Sequence, residues 1–397
     1  MNAIKDKIKK TAAKFLPEII AIRRHIHANP ELAFEEFKTS QFIISNLEAM
    51  EISHQNNIAK TGIVALIEGK NPLSKVTMLR ADMDALTINE ENEVDYKSLN
   101  KGVMHACGHD VHIASLLGAA KILMELRNEF SGTVKLIFQP SEEKFPGGAL
   151  QMIKEGVLDN PKANNIIGQH VLPTLEVGKI GLKTGKYMAS TDEVYITIYG
   201  KGGHGATPEL NIDPVIIASH IVVALQQLVS RNAMPSVPSV LSFGRFIANG
   251  RTNIIPDEVK IEGTFRTFDE VWRSDAHKKI TKMASLIAES MGAACDVRID
   301  KGYPFLVNDI ALTLKVKEYA IDFLGEENVE DLDLRMTAED FAYYSQQIPA
   351  CFYRLGIRNE KKGITSNLHT STFDIDENAL EIGMGLMAWI TFRELSL

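Results

Sequence analysis

Apolar residues recur at helical spacing over 4–27, with Ile8, Phe15, Leu16, Ile19 and Ile20 on one side, and again over 37–50. The chain is therefore expected to open on two amphipathic helices. Asn29-Pro30 stops the first, and Arg23, Arg24, His25 and His27 near its end read as charges on a solvated terminus. The texture then changes to apolar, β-branched runs at 61–68 and 75–80, which read as strands, the second feeding into Ala81-Asp82-Met83-Asp84. An apolar helix is expected over 113–126, a strand over 132–139 ending in Pro140-Ser141-Glu142-Glu143, and another over 163–171 that delivers His170. From Glu193 the pattern alternates. Strand 193–200, helix 213–231, strands 239–247 and 258–266, helix 268–291 and strand 295–299 follow in the order βαββαβ. That order is a compact open-faced, ferredoxin-like sandwich in its own right. Its two ends would lie close together, as an insertion requires. The expected organisation is a host domain built from 1–186 and 302–397, with an inserted domain at 187–301.

The length of 397 residues favours two domains, and 45% hydrophobic with 24% charged residues describes an ordinary globular chain. The net charge of -8, with no basic cluster able to track a phosphate backbone, argues against nucleic acid. The amino terminus lacks the unbroken apolar core of a secretory signal, and no stretch approaches a membrane span, so no membrane partner is expected. Three distant cysteines, Cys107, Cys295 and Cys351, suit a reducing compartment, with the cytoplasm as the simplest location.

The chemistry concentrates in His105–His112, reading HACGHDVH: three imidazoles, one thiol and one carboxylate where a loop becomes a helix. Thiolate and neutral imidazole are donors suited to zinc and its transition-metal neighbours. Further donors wait after other predicted strands: the adjacent pair Glu142 and Glu143, then His170, and His369 late in the chain. Carboxyl ends of strands are where α/β folds bind their ligands. Cys107, His109, one of the two glutamates, His170 and His369 exceed the four donors of a structural zinc site, so two metals roughly 3.5 to 4 Å apart are expected. The spare glutamate would take a proton from a water and hand it to a leaving amine. Gly200–Gly205 fits G-x-G-x-x-G but lacks the helix and the acid that a dinucleotide site needs, so its glycines are read as a tight loop presenting His204. His-Glu-x-x-His and Gly-x-Ser-x-Gly are both missing from the chain. A thiol enzyme with Cys107 as nucleophile and His109 as base is the rival from another class; a non-catalytic metal-binding relative is the third reading.

ADMDAL at 81–86, MHACGHDVH at 104–112, FQPSEE at 138–143, GQHV at 168–171, GKGGHGATP at 200–208, AEDFA at 338–342 and LHTS at 368–371 resemble the di-metal aminoacylase and carboxypeptidase G superfamily. The nearest branch holds hippurate hydrolases, auxin-conjugate amidohydrolases and N-acetyldiaminopimelate deacetylases. The resemblance implies an α/β fold with a mixed-sheet α/β/α catalytic domain of zinc-exopeptidase type and an inserted lid and dimerisation domain. It implies that Cys107, His109, Glu143, His170 and His369 bind two divalent ions, zinc or manganese first and cobalt or nickel next. It further implies that Glu142 is the general acid/base, that Asp84 orients a ligand, that His204 and Asn253 help hold the scissile carbonyl, and that Arg266 meets a substrate carboxylate. Where the wider superfamily has His-x-Asp this chain has Asp82-Met83-Asp84, so Asp82 is not expected to be a ligand. The implied activity is hydrolysis of N-acyl (acetyl, benzoyl or similar) L-amino acids by a homodimer, with N-acetyldiaminopimelate deacetylase or dipeptidase as alternatives.

Overall fold

A computed structural model describes residues 1–396. The chain divides into two compact units: Met1–Tyr187 with Val307–Leu334 and Asp340–Leu397, and Met188–Leu306 with Arg335–Glu339.

The first unit is built on an eight-stranded mixed sheet. Its centre is four neighbouring parallel strands in the order Thr133–Gln139, Val76–Asp82, Asn165–Glu176 and Ala350–Arg358. These central strands are buried almost throughout, as parallel strands covered on both faces must be. Alternation sorts their side chains: Val134, Leu136 and Phe138 join the main core while Lys135, Ile137 and Gln139 turn the other way. That core is filled by helices Asn2–Ala28, His109–Glu125 and Ala379–Leu395, the last two apolar nearly all round. Short helices Gly148–Lys154 and Ala342–Ser345 pack on strands Thr133–Gln139 and Ala350–Arg358.

Two expectations change here. The strand carrying His170 runs on to Glu176, so this histidine lies in mid-strand. The end of the first helix is solvated on one side only: Arg24 and His25 are exposed, but Arg23 and His27 are fully buried. Arg23 Nε donates to Asp110 at 2.7 Å and its Nη2 to Asp374 at 2.9 Å, while His27 meets Asp110 and Glu90 through its two ring nitrogens. A charge in that setting persists only when paired. Burial works against the ionised form of Asp110, yet Arg23 and then His27 hold it well below the usual carboxylate range.

The second unit has the four-stranded antiparallel order Ser239–Ile247, Glu258–Thr267, Asp192–Tyr199 and Ala294–Lys301, with helices Pro214–Gln227 and Glu270–Ser290 packed on it. This is the βαββαβ pattern. Its helices start where the chain supplies caps, Asp213 accepting from the Val215 N–H and Asp269 from the Trp272 N–H. Helix Pro214–Asn232, taken with its wider last turn, is long and apolar enough to cross a membrane by length and composition alone, which the sequence reading missed. Here it instead buries one side on the sheet through Ile217, Ile221 and Leu225.

Asp192 ties this unit together. Its carboxylate takes Arg273 Nη2 at 2.6 Å, Arg273 Nε at 2.9 Å and His277 Nε2 at 2.7 Å, and the same guanidinium donates to the Thr191 and Gly302 carbonyls. The first strand, the second helix and the end of the last strand thus meet at one buried charge pair. Burial opposes the ionised form, but His277 and Arg273 keep the carboxyl below its ordinary value. Its contribution is therefore present above the ordinary carboxylate pKa and is lost as pH falls through the depressed one. We expect Asp192→Asn to destabilise the second unit by about 3–5 kcal/mol in urea unfolding at neutral pH, with a smaller difference in acid; a change indistinguishable from zero would contradict this account.

Candidate metal centre

The parallel register brings the carboxyl ends of the four central strands side by side. Asp84 follows Val76–Asp82, Glu142 and Glu143 follow Thr133–Gln139, and His170 stands within Asn165–Glu176. His369 lies between strand Ala350–Arg358 and helix Ala379–Leu395, its N–H bonded to the Ala106 carbonyl at 2.8 Å. Cys107 and His109 flank Gly108 at the start of the central helix. Gly108 has φ 83°, and a Cβ there would lie 2.5 Å from Val171 Cγ2, so any other residue would be strained and would have to displace the side chain next to His170.

The donors converge. Cys107, His109 and His170, then Cys107, Glu143 and His369, then His109, Glu142 and Glu143 each place one ligand-type atom apiece within 4.8 Å of one another. All five sequence-predicted donors and Glu142 therefore surround one small volume. Hydrogen bonding sets the tautomers in a way that suits cations. His109 Nδ1 donates to the Asp84 carbonyl at 2.8 Å, which leaves a buried Nε2 with no hydrogen-bond partner. His170 Nδ1 donates to the Val171 carbonyl at 2.7 Å, and its Nε2 stands 3.5 Å from Cys107 Sγ. His369 Nε2 lies 3.2 Å from Glu143 Oε1 and is the most open of the set, its side chain 52% exposed.

The field at the site is negative. Burial is the main force that pushes the Cys107 thiol up, with Glu143 and Glu142 adding to it. Burial works against a charge on His109, yet Asp82 and Asp84 lift it to about 10. His170 is driven well below its ordinary value by burial and then by Arg354, so its Nε2 keeps a lone pair, which faces the Cys107 thiol. A divalent cation satisfies all three conditions at once: it stabilises a thiolate, takes the place of the imidazolium proton and accepts a neutral imidazole. The donors present therefore fit metal, and the mixture of thiolate, imidazole and carboxylate suits a transition metal.

Asp84 holds the glutamates in place, its Oδ1 and Oδ2 accepting the N–H groups of Glu142 and Glu143 at 2.9 Å each. Glu142 is buried, and its Oε1 accepts from the Asp340 N–H at 3.3 Å. Asp82 sits beside the donors as part of an ion pair. Arg80 Nη1 donates to it at 2.7 Å and His112 Nδ1 at 2.5 Å, while His112 Nε2 accepts the Val171 N–H. The cluster of Asp82, His109 and His112 thus has its polar atoms largely committed to protein partners. His112 is a strut between this aspartate and the His170 strand. Arg80 and Asp340 had no role on sequence grounds, although AEDFA at 338–342 contains the aspartate; the signal was a guanidinium near the end of an apolar strand. Arg80 Nη2 and Gln139 Nε2 both reach Asp340 at 2.8 Å.

His204, Asn253 and Arg266 belong to the second unit. His204 pairs with Ile254 in a two-stranded ribbon, and the Gly205 N–H bonds to the Asn253 carbonyl, so those two residues are neighbours on an exposed turn. Arg266 lies on the sheet, its Nε on Thr264 Oγ1 at 3.0 Å.

Comparison with known proteins identifies the family. Residues 78–391 match the model of Peptidase family M20/M25/M40. The chain is 44% identical to the N-acyl-L-amino acid amidohydrolase of Geobacillus stearothermophilus over 304 residues, 77% of this chain and 81% of that protein. It is 40% identical to the N-acetyl-L-cysteine deacetylase of Bacillus subtilis over 363 residues, 91% of this chain and 85% of that one. A crystal structure from Bacillus subtilis, described as a dinuclear metal binding peptidase from the M20 family, superposes with a TM-score of 0.83 at 34% identity, covering 96% and 99% of the two chains. The fold, the ordered run of motifs and these likenesses together make the chain a member of peptidase family M20/M25/M40 and a hydrolase of amide bonds.

Proposed function

We propose that the protein is a two-metal amidohydrolase that splits N-acetyl, N-benzoyl or similar L-amino acids into a carboxylic acid and the free amino acid, in a reducing compartment such as the cytoplasm. The single observation that carries this reading is the cluster in which Cys107, His109, Glu143, His170 and His369 close around one volume with Glu142 at its side. The dinuclear description of the Bacillus subtilis neighbour supports two cations. Bound there, divalent zinc or manganese would polarise the scissile carbonyl and acidify a water. The chain supplies the rest. Glu142, fixed through Asp84 and the Asp340 N–H, takes a proton from the attacking water and returns it to the departing amine nitrogen. His204 donates to the developing oxyanion with Asn253 beside it, and Arg266 meets the carboxylate of the amino acid product. A cysteine nucleophile fits less well, because burial and the neighbouring carboxylates disfavour a thiolate at Cys107 without a cation.

The second unit is also proposed to pair two copies. Helix Pro214–Gln227 leaves Val223 73% and Ile216 49% exposed, and the neighbouring edge strand Ser239–Ile247 exposes Phe246. Such a face and free edge in one small unit suit a second copy of the same surface.

Three outcomes are expected. Metal-reconstituted protein should hydrolyse members of a panel of hippurate, N-acetyl amino acids, N-acetyldiaminopimelate and dipeptides, with N-acyl amino acids ahead and chelation abolishing turnover; activity that survives chelation but not thiol alkylation would favour the cysteine mechanism. Glu142→Gln should retain both metals by elemental analysis and lower kcat by a factor on the order of 10²–10⁴, and a wild-type rate would remove Glu142 from its role. Val223→Glu should shift the protein from dimer toward monomer in sedimentation velocity, whereas a wild-type monomer at micromolar concentration would refute the pairing.

A further inference from the structure

Ser141, the residue just before the two glutamates, has φ 52°. A non-glycine residue in the left-handed region costs on the order of 1 kcal/mol or more and lasts only where its surroundings enforce it. The enforcing contact comes from a part of the chain remote in sequence. Ser141 N–H donates to Glu36 Oε1 at 2.9 Å, and Glu36 is completely buried just ahead of helix Phe37–Ala49. The same Oε1 accepts the Phe34 N–H at 2.9 Å, and Oε2 accepts the Thr61 hydroxyl at 2.6 Å. Three protein donors thus occupy this carboxylate, and among the described residues Glu36 belongs to none of the clusters able to hold a metal.

The next two N–H groups, of Glu142 and Glu143, go to Asp84. Three consecutive main-chain donors are therefore each taken by a buried carboxylate, the first by Glu36 and the others by Asp84. Consecutive N–H groups beside a left-handed residue form a concave nest for anions. In this chain the nest is filled from within, and it carries the side chains that the proposed hydrolysis requires.

We propose that Glu36 is a positioning residue for hydrolysis: by accepting the Ser141 N–H it holds residue 141 in the left-handed region, and so aims Glu142 and Glu143 at the reaction centre. The inference rests on the amidohydrolase reading above. It does not place Glu36 against substrate or metal.

The test couples Glu36 to the backbone of residue 141. Glu36→Ala should lower kcat by 10- to 100-fold with KM within threefold and both metals retained. Glu36→Gln, which keeps the acceptor oxygen, should stay within fivefold of wild type. Adding Ser141→Gly to Glu36→Ala should recover at least a third of the lost rate on a logarithmic scale, because glycine adopts the left-handed region without enforcement. It should also raise the urea midpoint of Glu36→Ala by more than Ser141→Gly raises that of wild type. A wild-type kcat in Glu36→Ala, or a double variant no better than the single one in both rate and midpoint, would overturn the proposal. If Glu36→Ala does not fold, Ser141→Val in the wild-type background should show the same loss confined to kcat, and an unchanged kcat there would overturn it equally. A wild-type protein inert on the whole substrate panel would defeat the functional reading instead, and the unfolding midpoints would still report whether positions 36 and 141 are coupled.

Discussion

The carboxylate of Asp84 has more of the centre depending on it than any donor that could touch a cation. It accepts the N–H groups of both glutamates, and its own carbonyl takes His109 Nδ1. One residue after a central strand thereby sets the direction of the glutamate turn and the tautomer of an imidazole. The two roles reinforce each other, since an imidazole held by its Nδ1–H must turn its Nε2 toward the glutamates. Geometry of this kind is built before any ion arrives, which is how a protein avoids reorganisation during reaction.

Around that point the chain spends buried charge in an orderly way. The guanidiniums of Arg23, Arg80 and Arg273 are fully buried, and each joins segments remote in sequence. Arg80 links Asp82 to Asp340, and Arg23 links Asp110 to Asp374. Asp110 follows His109 and Asp374 lies five residues after His369, so a cation buried in the first helix connects two of the donor-bearing segments. Arg273 does the equivalent for the second unit through Asp192. Each pair repays its desolvation only with near-ideal geometry, which makes it a register device: another packing of the same segments would leave an uncompensated charge in the core.

Much of the architecture was readable along the chain. Continuous apolar runs marked the central strands, and alternation followed by 3.6-residue spacing marked the second unit, because both periodicities follow from backbone geometry alone. The density of donors in HACGHDVH, and acids or imidazoles near predicted strand ends, announced metal-type chemistry, since such groups seldom gather where only packing is at stake. Arg23 and His27 were misread for the opposite reason. A charged helix end looks the same in sequence whether water or a buried carboxylate receives it, and only the positions of Asp110, Asp374 and Glu90 decide between them.

The sequence by itself determined the inventory: which elements form, which residues carry ligand-type atoms, and that they stand near strand ends. Tertiary structure decided what those atoms do. Parallel register put four strand ends side by side, the Asp84 and Val171 carbonyls chose the histidine tautomers, Arg80 and His112 committed Asp82 to an ion pair, and Glu36 met Ser141 across more than a hundred residues. Each is a contact between segments that local propensity cannot see, because hydrogen bonds and charge pairing act through space and depend on burial, which exists only once the chain has folded.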